Sequence, residues 1–345
     1  MYADTTLAMV QKLQEQIASV VSDMGKRHHS PSINSVDTVN LICGSSRCGS
    51  SWLFRFLSQS PHLATPRGEQ VPFEKLYLFP QLTNRVSDEL GAQDLHPDLA
   101  RNVWQLLAMD LGTGPTMDEA TDAEAYDVQL QVRLPLQFPR TLTPDIVKRA
   151  LRDCPQRGQR FSELVRHLAR QDLIRAEYYD RDPQLGWTGE RTPEGPPDLH
   201  VVLEEPPFIP ILPRARPQQG RPLHLLLKCS LHAYRLPFLR AMFSQTKMRL
   251  ILLTRNPAAS INGLIEGWLS RGGFYSYDLS LVGITLHISG YSDLFVWGRR
   301  WWKFDLPAVD AALFSAPLEQ VCAQQWTCAY ASVLAFLDQH PEVER

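Results

Sequence analysis

The sequence predicts an α/β domain in three layers, a central parallel sheet with helices on both faces, and a largely helical, proline-rich insertion capping the active-site end of that sheet. Three observations carry the prediction. Short apolar runs of strand length stand at Val36–Cys43, His224–Lys228 and Met248–Thr254. Stretches of helical periodicity alternate with them. A loop rich in glycine and serine leaves the first run and opens directly into a helix, CGSSRCGSSWL at Cys43–Leu53.

In chain order, Leu7, Val10, Ile17, Val20, Val21 and Met24 recur at helical spacing behind Asp4, Thr5 and Thr6 as caps, with Gly25 as a stop. This is an amphipathic leading helix. Lys26–Ser35 is polar and contains Pro31, so residues 1–34 read as a helix and linker preceding a domain at 35–345. Val36–Cys43 has the composition of a buried strand, and Leu53, Phe56 and Leu57 at i, i+3, i+4 make Ser50–Ser58 a helix. The insertion runs from about Leu78 to Pro222, with helical patterns at Thr143–Cys154 and Phe161–Tyr179. In its last part, Arg191–Pro222, 9 of 32 residues are proline, which excludes regular helix and predicts a rigid, extended lid. A helical stretch at Tyr234–Phe243 separates the second and third strands, and Val321–Leu337 forms a last helix with no closing strand after it.

The totals exclude several classes of function. Lys and Arg number 35 against 37 acidic residues, so a net charge of -2 provides no global field for nucleic acid or an anionic membrane. Any anion site must be local. No apolar run approaches the roughly 20 residues of a membrane span. The six cysteines contain no CxxC pair, which predicts reduced thiols in a cytoplasmic protein and no metal site. The leading helix is the candidate surface for a second copy of the chain.

Backbone N–H groups of a glycine-containing turn and the N-terminus of the next helix attract negative oxygens whatever the side chains. That makes Ser46–Ser51 a phosphate-binding loop and the fold one of P-loop type. Gly44 and Gly49 keep the outer spacing of GxxxxGK loops, but Ser50 replaces the lysine that reaches the β and γ phosphates. ATP or GTP hydrolysis by the usual arrangement is therefore disfavoured. Arg47 offers a planar, permanently charged fork to a phosphate or sulfate oxygen instead.

SSRCGSSWL resembles the 5′-phosphosulfate loop of the sulfotransferases that use 3′-phosphoadenosine 5′-phosphosulfate (PAPS). Arg47 falls on the basic residue of that loop, Gly49 on its glycine, Ser50 and Ser51 on its two hydroxyl residues, and Trp52 on the tryptophan that lies against adenine; Ser46 and Cys48 replace a proline and a small residue. LLLTRNPAASINGLIEGW is similar to the family's 3′-phosphate motif, with Arg255 on the arginine that grips the phosphate and Asn256-Pro257 on its turn. The motif's serine position is Gly263 here, leaving Ser260 or Asn262 as substitutes. KCSLH is similar to a third segment of bacterial-type members, with Lys228 and His232 on its basic positions. In ATPRGEQVPF, Glu69 stands where such enzymes carry a glutamate at the acceptor hydroxyl, with Glu74 as a competitor. The resemblance covers about half the chain in the expected order, and it implies that the C-terminal strand and basic loop of the family domain are missing after Arg345.

What the resemblance implies is a cytoplasmic sulfotransferase moving a sulfuryl group from PAPS, as co-substrate and without metal, to a hydroxyl of a small-molecule, lipid or secondary-metabolite acceptor. Arg47, Cys48, Gly49, Ser50, Ser51, Trp52 and Arg255 would hold the donor; Glu69, His232 and Lys228 would do the chemistry, with Glu69 or His232 as base. A P-loop nucleotide kinase and a non-catalytic nucleotide-binding protein are the rivals. The remaining features read as structure: Trp297, Trp301 and Trp302 as a packed helix, and Glu204-Glu205 as a solvated loop.

Overall fold

A computed structural model describes residues 2–27, 31–66, 68–113, 123–154, 160–180, 192–206, 222–308 and 310–344. The architecture is α/β, with a five-stranded, mostly parallel sheet and ten helices among the described residues, compatible with a three-layer arrangement. The strands are β1 (Val36–Cys43), β2 (Ala64–Pro66), β3 (Leu111–Thr113), β4 (Leu223–Lys228) and β5 (Lys247–Leu252), in the spatial order β3-β2-β4-β1-β5. β1 is central and parallel to both neighbours, with Leu41 opposite Leu227 on one side and Leu250 on the other. β2 is parallel to β4, and β3 closes that edge in the antiparallel sense. Val39 and Leu41 are fully buried, as a strand covered on both faces requires.

The helices are α1 (Tyr2–Arg27), α2 (Ser50–Leu57), α3 (Val71–Arg85), α4 (Pro97–Asp110), α5 (Ala123–Gln137), α6 (Pro144–Arg152), α7 (Arg160–Arg170), α8 (Leu236–Met242), α9 (Pro257–Leu269) and α10 (Leu318–Gln339). They fall into two packing groups: α1 lies against α3, α4, α5 and α6, while α10 lies against α8 and α9. α1 runs through Gly25, whose position meets no neighbour that would stop it. α3 crosses the expected start of the insertion at Leu78 without a break.

The insertion has a core of its own. Along α5, Val128, Val132 and Leu136 join the main core, while Leu130 and Leu134 join a second cluster with Val147 of α6 and Leu164 of α7. Two sets spaced by four residues and offset by two lie on opposite faces of one helix, so α5 is buried between two cores. The second helical pattern, Phe161–Tyr179, is α7 followed by a short 3-10 turn at Ala176–Tyr178. Of the proline-rich stretch, residues 192–206 are described and contain no helix or strand, whereas 191 and 207–221 lie outside the described residues.

The tryptophan cluster corrects the sequence reading. Trp301 and Trp302 belong to a strand, β7 (Trp301–Lys303), paired antiparallel with β6 (Tyr275–Asp278), and Trp297 sits in the turn before it. All three rings are buried. A run of large aromatics packs on a two-stranded ribbon as well as on a helix, and periodicity alone does not separate them. At the chain's end, the backbone N–H of Leu250 donates to the carbonyl of Glu344 at 2.8 Å, which extends the pairing beyond β5.

Candidate functional site

Four parallel strands end at one edge of the sheet, and the segment leaving each supplies part of one cavity of about 580 Å³. β1 leads into the loop at Ser46–Ser51, β2 leads to Glu69, β4 ends on Lys228, and β5 leads to Arg255. In an open α/β sheet this carboxyl edge is where ligands bind, because loops from several strands converge there.

The loop is shaped for that edge. Gly49 caps α2 with φ 100°, a conformation that carries no side-chain penalty only in glycine. The hydroxyl of Ser46 turns inward and donates to the buried Asp305 carboxylate at 2.9 Å, which anchors the loop from below. Burial pushes Asp305 up to about 6 against the stabilising bonds from Tyr234 and Ser46. Arg47, at φ 67°, carries its side chain across the rim: its Nε donates to the Gly263 carbonyl at 3.2 Å and its guanidinium stands 5.4 Å from the Phe274 ring centre. Arg255 donates from Nη1 to the Arg47 carbonyl at 3.3 Å, so the two arginines from distant motifs share one rim. The first N–H groups of α2, at Ser50 and Ser51, have no acceptor within the helix and line the same cavity.

Trp52 lines the cavity with 72% of its surface exposed, stacked on Phe56 with ring centres 5.9 Å apart and planes at 4°. A core role is thereby excluded. Cys48 departs from the rest of the loop: it is buried and does not line the cavity. Neither Ser260 nor Asn262 lines it; Ser260 is buried with an unpartnered hydroxyl, and Asn262 faces outward on α9. Gly263 explains itself by proximity, since a Cβ there would stand 3.3 Å from that of Arg47.

A Lys–Glu ion pair lines the same cavity. Lys228 Nζ donates to Glu69 Oε1, and the Cys229 thiol donates to Glu69 Oε2 at 3.0 Å. Burial alone would raise the Glu69 pKa, but the Lys228 charge and the Cys229 bond reverse that and hold it below the ordinary carboxylate range. Burial alone would lower Lys228, and Glu69 holds it above its ordinary value. Both shifts describe one intact ion pair.

The two candidate bases are separated by the fold. Glu69 lines the cavity, whereas His232 is fully buried, outside the lining, with its Nε2 against the Gln70 side-chain amide. The expected competition from Glu74 is absent, because that residue is buried in an ion pair with Arg235 at 2.6 Å. Burial depresses the His232 pKa to about 3 from an ordinary value of 6.5, despite the nearby Glu69 charge. A group whose folded pKa is depressed contributes stability above its unfolded pKa and loses it as pH falls toward the folded one. His232→Gln is therefore expected to reduce the loss of melting temperature between about pH 6.5 and 3, read as the difference between the wild-type and variant profiles.

Several cavity residues carried no usable sequence signal. Lys75 of α3, Phe274, Phe304 and Asp305 come from segments without a recognisable motif. Phe274 and Phe304 both have positive φ, 66° and 59°, and their rings stack at 4.4 Å. Backbone strain in bulky residues is uncommon, and it concentrates at functional sites. Glu204 and Glu205 correct the expectation of a solvated loop. Glu204 is buried against Arg133, and Glu205 lines the cavity with its Oε1 accepting from the Tyr275 N–H at 3.3 Å. Burial, partly offset by Lys303, pushes Glu205 up to about 7.

No protein-family model, curated protein or solved structure matches the chain. Among the described residues there is no helix long and apolar enough to cross a membrane and no group of three or more His, Cys, Asp or Glu placed to hold a metal ion.

Proposed function

We propose that this cavity binds PAPS and transfers its sulfuryl group to an acceptor hydroxyl, on a P-loop-type α/β domain. One observation carries the reading: a lysine-free anion loop, two arginines, and a Lys-Glu pair leave the ends of four parallel strands and line the same cavity. The donor set suits a ligand anionic at both ends. Lys228, Arg47 and the α2 N-terminus would face the phosphosulfate, Arg255 the 3′-phosphate, and the exposed Trp52 ring a flat base.

When bound, PAPS supplies the sulfuryl group, so that the acceptor oxygen gains an S–O bond as the bond from sulfur to the phosphate oxygen breaks. Glu69 is positioned to accept the acceptor's hydroxyl proton at Oε1 or Oε2. Held below the ordinary carboxylate range, it is a weak base, so it takes the proton late, after S–O bond formation has acidified the hydroxyl. Lys228 neutralises the negative charge that returns to the phosphate oxygen. Between these two groups, transfer is chiefly a matter of position and fixed charge.

Calorimetry with adenosine 3′,5′-bisphosphate, followed by a labelled-PAPS assay over a panel of hydroxyl acceptors, tests the proposal. Binding with label transfer is expected. Magnesium-dependent phosphate transfer from ATP would favour a kinase, and binding with no transfer to any acceptor a nucleotide-binding protein. Gly263→Ser restores the family-like serine and is nonetheless expected to weaken bisphosphate binding by roughly tenfold, because it displaces Arg47 from its bond to the 263 carbonyl. Equal or tighter binding in that variant would remove Arg47 from the donor site.

A further inference from the structure

Lys75 is the one lysine of this cavity besides Lys228, and it lacks the partner that Lys228 has. It lies on α3 one turn after Val71, so both face the cavity from the same side of that helix. The residue is only 8% exposed, yet its ammonium makes no hydrogen bond among the described residues. Its nearest specific contact is the Tyr277 ring, whose centre lies 4.8 Å from Nζ. Burying an ammonium without hydrogen-bond partners is costly, and native structures pair such groups.

The carboxylates around it are committed elsewhere. Glu74 and Asp88 each pair with Arg235, at 2.6 and 2.8 Å, and Asp88 also accepts from the Tyr277 hydroxyl and the Leu306 N–H. Glu205 accepts from the Tyr275 N–H and feels the Lys303 charge more strongly than that of Lys75. Burial lowers the Lys75 pKa, and Asp88 and Glu205 restrain that fall without supplying a bond. Three N–H donors are thus left for whatever enters the cavity. Val71, Leu203, Phe274 and Phe304 contribute apolar surface to the same cavity. Glu69 lies two residues before the start of α3 and Lys75 one turn into it, and both line the cavity.

We propose that Lys75 determines acceptor specificity by binding the carboxylate of an elongated, apolar or aromatic hydroxy acid, with the acid's hydroxyl directed to Glu69. This rests on the sulfuryl-transfer reading for the fate of the hydroxyl and not for the binding of the acid. A para-hydroxyphenyl alkanoic acid carries both groups on an aromatic frame.

The test uses 3-(4-hydroxyphenyl)propionate and its amide, titrated calorimetrically without nucleotide against the wild-type protein and Lys75→Met. Methionine keeps the apolar stem and removes the charge, so folding is expected to survive, and melting curves check that. The wild type is expected to bind the acid roughly tenfold or more tightly than the amide, as a charge-assisted hydrogen bond predicts. In Lys75→Met that preference should vanish while amide binding stays the same, and Lys75→Arg should keep part of it. Equal affinities in the wild type, a preference that survives Lys75→Met, or no binding of either probe would each overturn the proposal. Failure of the donor reading shows separately, as absent binding of adenosine 3′,5′-bisphosphate alongside intact acid selectivity.

Discussion

Replacing Arg133 by methionine is expected to cost the fold roughly 3–5 kcal/mol, the range for removing one partner from a buried ion pair. Arg133 lies on α5 and is completely buried. Its guanidinium bonds both oxygens of Asp110 at the end of α4, one oxygen of Glu204 from the insertion, and the carbonyl of Glu69 at 3.3 Å. It also stands 4.9 Å from the Phe73 ring centre. One cation therefore ties two insertion elements to the backbone of the candidate base. Burial first, and then Asp110, push Glu204 up to about 8, even though Arg133 opposes them. Loss of Arg133 removes that opposition, so the folded pKa of Glu204 rises further above its unfolded value. A raised folded pKa favours the fold at low pH and loses that benefit as pH increases. The stability deficit of Arg133→Met should accordingly stay level below about pH 8, where Glu204 is protonated in both folded proteins, and grow above it, measured by urea unfolding across that range. A deficit below about 1 kcal/mol, typical of exposed pairs, would show that the cluster is hydrated rather than buried.

Legibility of the molecule in its sequence followed the range of the interactions involved. β1, α2, β4, β5, α8 and α10 were all readable, because apolar periodicity and glycine or proline punctuation are local signals. β2 and β3 were not, since three residues give no measurable alternation and their pairing is settled by the neighbouring strand. α5 was hidden for another reason: with both faces buried, Val128, Leu130, Val132, Leu134 and Leu136 recur at every second position, which imitates a strand. At the candidate site, the resemblance singled out Arg47, Lys228, Glu69 and Arg255, and the structure places the four around one cavity. His232 matched the same motif yet points into the core, since a short 3-10 turn at Ser230–Tyr234 rotates it away from the end of β4. Lys75 was unreadable because its distinction is the lack of a partner, a property of three-dimensional surroundings alone.

Glu69→Gln is expected to reduce label transfer from PAPS by roughly 10²- to 10⁴-fold, the usual contribution of a positioned base, while binding of adenosine 3′,5′-bisphosphate persists. Lys228→Met should reduce transfer by roughly 10²- to 10³-fold, as for loss of one preorganised charge on a transition state. Because the two side chains form one ion pair, their effects should not add: the double variant is expected to be little worse than the more damaged single variant. The single variants, rather than the pH profile, separate Glu69 from His232 as the base. Glu69 is held below the ordinary carboxylate range, so it stays ionised as pH falls through neutrality, and activity should decline only on the far acid side. His232, depressed by burial to about 3, would likewise lose activity only on the far acid side. Transfer that survives Glu69→Gln but falls by roughly 10²-fold or more in His232→Gln would move the role from Glu69 to His232, and with it the assignment of the cavity wall at which the acceptor hydroxyl must sit.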